Sequence, residues 1–207
     1  MRTSYLREDA NYFRYSKGAV FRDNASFAKV PLYSGSLAEY NDATEGNYNE
    51  RIVKENSGRY FLMDRNLTYR GGAMEFCDIF SKDKELIHIK RYGGSATLSH
   101  LFYQGVASAE FFQMEDEYRK LIRNKLPKPF QVFDPAKRPQ FEEYHVIFGI
   151  ISRSDKPLTM PFFSRVGIRH AMRRLQGFGY KVSLAKIGVA ETRSKLQKMR
   201  PKLPLSE

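Results

Sequence analysis

Hydrophobic and polar residues change period several times along this chain, and each change marks an element. Tyr48, Ile52 and Val53 recur at helical spacing, and Asn56-Ser57-Gly58 ends the pattern. A short helix is predicted from Asn47 to about Glu55. Tyr60–Asp64 and Leu67–Tyr69 read as strand, with Arg65-Asn66 as the turn. After Gly71-Gly72, Met74–Phe80 and Glu85–Arg91 flank Lys82-Asp83-Lys84 and predict a hairpin. Tyr92-Gly93-Gly94 closes it. Ser95 or Thr97 then caps a long helix to about Asn124, burying Leu98, Leu101, Phe102, Ala109, Phe112 and Leu121. Pro127 and Pro129 end that helix. His145–Ser152 is a continuous apolar run and predicts a buried strand. Phe162–Leu175 reads as a helix capped by Ser164 and stopped by Gly177 and Gly179, and Lys181–Ile187 alternates as a strand. Near the start, Tyr12–Tyr15 and Ala19–Arg22 around Ser16-Lys17-Gly18 predict a further hairpin.

The order is short helix, three strands, long helix, strand, helix, strand. It predicts an α/β architecture: one mixed sheet flanked by helices, an α-β-β-β-α-β core plus an extra helix and strand. Residues 1–44 are expected to form a hairpin and loop extension, 45–190 the α/β domain, and 191–207 a basic tail. No internal repeat is present.

Composition narrows the class. The 207 residues suit one domain, and 42% are hydrophobic, enough for a sizeable core. No apolar run approaches the ~18 residues that span a bilayer. The first residues lack the apolar region of a signal peptide, so a cytoplasmic protein is expected. The single cysteine, Cys77, excludes an internal disulfide and a multi-cysteine zinc site. Alternation turns Cys77 away from Asp78 and into the core.

Charge adds a partner. The net charge is +12, and residues 151–207 carry 13 Lys and Arg against three acids, hence ten of those charges. Such an excess attracts polyanions, and nucleic acid is the expected one, DNA first and RNA also possible. Arg165, Arg169 and Arg173 repeat every four residues along the predicted second helix, with Arg174 beside them. Like charges at that spacing repel. A phosphate-backbone track would relieve the repulsion, and a solvated face is the plainer alternative.

The most chemically suggestive unit is 74–104. A three-residue loop pairs Ser81 with Glu85 and hence Asp78 with His88, leaving Lys90 diagonally across from Asp78. An acid on one strand and a Lys two residues beyond a ligand position on the next is an arrangement for metal-dependent phosphodiester cleavage. The acid would hold Mg²⁺ (or Mn²⁺), and the Lys would orient or deprotonate the attacking water. Ser99, His100 and Gln104 on the following helix would face phosphate or metal waters. Glu50 on the leading helix would add a metal carboxylate, a place that Glu45 or Asp64 could also fill. Each residue has a structural alternative: an Asp78–Lys90 salt bridge, a core histidine at 88, backbone or water contacts at His100 and Gln104. Gly93-Gly94-Ser95 reads as a turn or a short phosphate cradle.

With Asp78, the His88-Ile89-Lys90 triplet and this element order, the chain resembles the PD-(D/E)XK restriction-endonuclease-like superfamily. The resemblance implies a restriction-endonuclease-like sheet and a magnesium nuclease site. That superfamily usually has acid-X-Lys, and this sequence has His88 in the acid position. A second resemblance covers more of the chain. Tyr48-Asn49-Glu50, Leu62–Arg65, Glu75–Asp78, Leu86–Arg91, Ser99–Gly105, Pro161–Ser164 and Gly179–Leu184 resemble an uncharacterised, "sporadically distributed" bacterial family associated with mobile elements and defence islands. Members are usually longer at the N-terminus. The resemblance therefore implies a conflict context and a protein partner in place of the missing part.

Together these readings predict a metal-dependent, nuclease-like protein acting on DNA. Asp78, His88, Lys90 and Gln104 would be catalytic, Asp78 and Glu50 would hold metal, and Ser99, His100, Arg165, Arg169, Arg173 and Arg174 would bind nucleic acid. The alternatives are a nucleic-acid-binding module that has lost its chemistry and a metal-independent ribonuclease using His88 or His100.

Overall fold

Where apolar residues alternate on both sides of a strand, both faces must be covered, and the strands here show that requirement directly. The computed structural model describes residues 3–8, 11–16, 27–63, 67–69 and 72–190. A helix, α1 (Glu45–Glu55), precedes β3 (Tyr60–Leu62), β4 (Leu67–Tyr69), β5 (Gly72–Met74), β6 (Ile79–Ser81) and β7 (Glu85–Arg91). Then come α2 (Ser95–Met114), α3 (Asp116–Lys125), β8 (His145–Ser152), α4 (Phe162–Gly177) and β9 (Lys181–Gly188). The central sheet has five strands in the order β3-β6-β7-β8-β9. β6 runs antiparallel to both β3 and β7, and β7, β8 and β9 are parallel. The expected α/β class, one mixed sheet flanked by helices, is therefore observed; five strands rather than three lie between α1 and α2, and three of them join the central sheet.

Neighbouring residues of the strands divide between two cores. Phe80, Leu86, Val146, Phe148, Val182 and Leu184 pack with α2, α3 and α4 on one face. Ile79, Ile87, Ile89, Ile147, Ala185 and Ile187 pack with Tyr48 and Ile52 of α1 on the other. Each fully buried Leu, Ile or Phe contributes about 1.5–3 kcal/mol. That burial sets the parity of β7: Leu86 faces α2, so His88 and Lys90 follow it. The exposed edge of β9 is covered by residues 31–40. Tyr33 N–H donates to Leu184 O at 2.8 Å and Tyr40 N–H to Gly188 O at 2.8 Å. Such cover removes an edge that would otherwise template aggregation.

Several expected boundaries move. Tyr12–Tyr15 lies in β2 (Asn11–Ser16), whose antiparallel partner is β1 (Thr3–Glu8), not residues 19–22. Residues 19–22, the 65–66 turn and the 191–207 tail lie outside the described residues. The predicted strand Met74–Phe80 is two short strands: β5 pairs with β4 in a separate hairpin, and β6 begins only at Ile79. The long helix breaks at Glu115, whose backbone is extended (φ −115°, ψ 111°). Arg119, 4% exposed, donates from Nη1 to the end-of-helix carbonyls of Phe112 and Gln113, each at 3.0 Å, and from Nε to Pro135 O at 2.9 Å. After the break Tyr118 and Ile122 face the core, and Leu121 is exposed. Gly94, not a side chain, occupies the N-cap of α2, with φ +98° that favours glycine. Ser164 is not a cap; it is buried inside α4 and donates to Ser95 Oγ at 3.3 Å.

Candidate functional site

The hairpin of β6 and β7 has the register that the three-residue loop implies. Ile79 faces Ile87 and Phe80 faces Leu86, so continuing the ladder sets Asp78 against His88. Asp78 stands just before β6 and extends the ladder by other means. Its N–H donates to Ile87 O at 3.0 Å, and its Oδ2 accepts from Ile89 N–H at 2.6 Å. The carboxylate takes the place of the carbonyl that a longer strand would have offered.

Lys90 lies on the Leu86 face near the end of β7. Its Nζ is 3.0 Å from Glu45 Oε2, at the first turn of α1. Glu45 Oε1 in turn accepts Arg91 N–H at 2.8 Å. Thr44 fixes that helix start, its Oγ1 accepting Asn47 N–H at 3.1 Å. Burial is the largest single influence on the Lys90 ammonium and opposes its charge. The hydrogen bond and charge of Glu45, with the charges of Asp78 and Glu75, outweigh it, and the pKa is raised. Gln104, on α2, donates from Nε2 to Glu75 Oε2 at 2.9 Å. The site is therefore one ammonium bonded to Glu45, with its charge favoured by Asp78 and Glu75, and Glu75 in turn accepts from Gln104.

His88 is a different kind of residue. It is 4% exposed, packs 6.0 Å from the Phe148 ring, and its Nε2 has no hydrogen-bond partner. Burial depresses its pKa to about 4. At neutral pH it is an uncharged imidazole under α2. Gly105 makes this packing possible, because a Cβ there would meet Phe148 Cε1 at 2.4 Å and His88 Cδ2 at 3.4 Å.

The remaining expected residues divide. Glu50 is exposed on α1, and the helix carboxylate that reaches Lys90 is Glu45. Ser99 and His100 are exposed on α2, Ser99 beside an apolar groove against α4. Arg165, Arg169 and Arg173 do share one side of α4. With Lys29 they line a cleft of about 310 Å³ under residues 27–31. Arg165 donates to Met160 O, and Arg174 is turned away into an ion pair with Glu110 of α2. Cys77 is buried in the core, as expected. Strand alternation puts Glu75 on the face opposite Asp78 and so gives no signal for it; no strand forms through residues 75–78, and that parity does not hold there.

Mg²⁺ takes hard oxygen donors, and Asp78 and Glu75 supply that chemistry. Among the described residues, however, no three His, Cys, Asp or Glu groups stand together as a preformed cage. The donor set therefore fits only the water-rich mode, in which one or two carboxylates hold the ion.

Fold and site define a class: an α/β protein with an open, mixed five-stranded sheet and a Lys90–Glu45 ion pair where the end of β7 meets the start of α1. Within that class the chain belongs to DUF6119, a family of unknown function whose sequence profile matches residues 3–188. No curated protein and no solved structure matches it. No helix among the described residues is long and apolar enough to cross a membrane.

Proposed function

We propose that the protein is a nuclease-like phosphodiester hydrolase acting on DNA, built on the plan that the PD-(D/E)XK resemblance implies. The observation that carries this reading is the Lys90–Glu45 ion pair at the end of β7, with Asp78 bonded to the Ile89 N–H of the same strand and with the charges of Asp78 and Glu75 favouring the Lys90 ammonium. Lys90 stays protonated in this field, so its first role is to hold the scissile phosphate and offset the charge that develops on it. Asp78 and Glu75 would hold Mg²⁺, which when bound supplies Lewis-acid polarisation and a more acidic water. Gln104 orients the Glu75 carboxylate. The Arg165–Arg169–Arg173 side of α4 and Lys29 add a sequence-independent phosphate contact, weakened by salt. Mobile-element or anti-phage conflict is the setting that the family resemblance implies.

One observation favours a second reading. His88 stands where the superfamily places an acid, and it is neutral and buried beside Phe148. A chain that kept the fold and lost the chemistry would bind nucleic acid without cutting it.

Cleavage of plasmid DNA and of RNA with Mg²⁺, with Mn²⁺ and with EDTA tests both. The nuclease reading expects metal-dependent cutting that Lys90→Ala and Asp78→Asn abolish in folded protein. Cutting that survives both substitutions sinks the site, and cutting in EDTA points instead to the ribonuclease alternative. Tight, salt-sensitive DNA binding with no cutting under any condition selects the inert module.

A further inference from the structure

The parallel strands β7, β8 and β9 end together at a second concavity, of about 530 Å³, which the lysine cluster does not use. Arg91 and Tyr92 reach it from the end of β7, Ser152 and Arg153 from the end of β8, and Tyr40 from the segment paired with β9. In open α/β sheets the space outside the carboxyl ends of the strands is where ligands bind, and this volume is within the range of small-molecule sites.

Its chemistry is narrow. Two guanidinium groups and several hydroxyls line it, with no carboxylate among the lining residues. Arg91 is already held in place: its Nη2 donates to Ala43 O at 2.7 Å, and its guanidinium lies 4.7 Å from the Tyr40 ring centroid. Little freedom remains for it to lose on binding. Arg153 is exposed and forms no ion pair among the described residues. Tyr40 is 5% exposed, and its hydroxyl is buried with no partner. Tyr92 is 41% exposed and offers a ring at the mouth. Cations alone would suit any anion. Cations beside an exposed aromatic ring, in a space far larger than a phosphate needs, suit a phosphate that carries a planar base.

We propose that this concavity binds a nucleoside 5′-phosphate, either free or at the end of a nucleic-acid strand. Arg153 and Arg91 hold the phosphate, and Tyr92 stacks on the base. The site is distinct from the lysine cluster, because the consecutive residues Lys90 and Arg91 leave β7 on opposite faces. Glu45 joins the two, one oxygen on Lys90 Nζ and the other on Arg91 N–H. The proposal stands independently of the nuclease reading.

Calorimetric titration of the full chain tests it with AMP, GMP, CMP and UMP, with adenosine and inorganic phosphate, and with one oligonucleotide bearing either a 5′-phosphate or a 5′-hydroxyl. Saturable one-site binding of a mononucleotide, tighter than adenosine or phosphate alone, is expected. Arg153→Ala and Tyr92→Ala, both at exposed positions, should each weaken it about tenfold or more. Lys90→Ala should leave it unchanged, even where it abolishes cleavage. A 5′-phosphate preference in the oligonucleotide beyond the mononucleotide's affinity identifies a strand end as the occupant, and equal or lower affinity identifies the free nucleotide. The proposal is overturned if no mononucleotide binds, if phosphate binds as tightly as every mononucleotide, or if neither Arg153→Ala nor Tyr92→Ala weakens binding.

Discussion

Acidification should reveal the buried state of His88. The imidazole has an ordinary pKa of 6.5, and burial lowers it to about 4 in the folded protein. Between those values the unfolded chain takes up a proton that the folded chain refuses. The contribution of His88 is thus fully present above about pH 6.5 and is lost progressively as pH falls toward 4. The whole interval corresponds to about 3 kcal/mol, a large share of the ~5–15 kcal/mol that holds a domain together. His145 is also lowered, first by burial and against the charge of Glu85, so it adds a change of the same sign. Comparison with His88→Leu isolates His88. The substitution keeps an apolar group of similar size against Phe148 and removes the unpartnered Nε2. Urea unfolding of both proteins at pH 7, 6, 5 and 4, followed by circular dichroism since the chain has no Trp, gives the difference. Wild type should lose about 3 kcal/mol more than the variant between pH 7 and 4. Parallel losses in the two proteins would mean that His88 takes up its proton as freely folded as unfolded, and the account of a neutral, buried imidazole would fail.

Three further outcomes follow from the geometry. Gly105→Ala must push against Phe148 Cε1 at 2.4 Å; overpacking of about 1–3 kcal/mol, less about 1 kcal/mol of helix propensity, leaves a net loss of up to about 2 kcal/mol. Gly58→Ala, with nothing within 4 Å of the new methyl, is the control, and equal midpoints in urea for both variants would refute the close approach. Thr44→Ala removes the cap of α1 and should cost about 1 kcal/mol, with Thr44→Ser retaining most of it; thermal unfolding of the pair checks this. Glu45→Gln takes away the principal support of the Lys90 charge. The Lys90 amine should then deprotonate at lower pH and react faster with acetic anhydride near pH 9, read by mass spectrometry, and an unchanged rate would remove Glu45 from the site.

How much of this was legible in the sequence can be judged from particular residues. The α/β class, β7, β8 and the β6–β7 register, with Ile79 against Ile87 and Phe80 against Leu86, all followed from local patterns. Strands have a period of two, the turn between β6 and β7 has only three residues, and a shift of one would have put Leu86 in the wrong core. The basic repeat on α4 was equally plain, since helical spacing alone puts Arg165, Arg169 and Arg173 on one side. What local pattern did not contain was anything decided between distant segments. Arg119 stitches the break at Glu115 through carbonyls of Phe112, Gln113 and Pro135. Glu45 rather than Glu50 reaches Lys90 because of how α1 sits against β7. The concavity at the strand ends exists only because β7, β8 and β9 stop together. His88 carries the contrast most clearly. Its place on the strand, two residues before Lys90, was fixed by periodicity, but its charge state depends on how completely Phe148 and α2 exclude water. Desolvation is set by packing across the whole domain, so only the tertiary structure decided that this histidine is neutral.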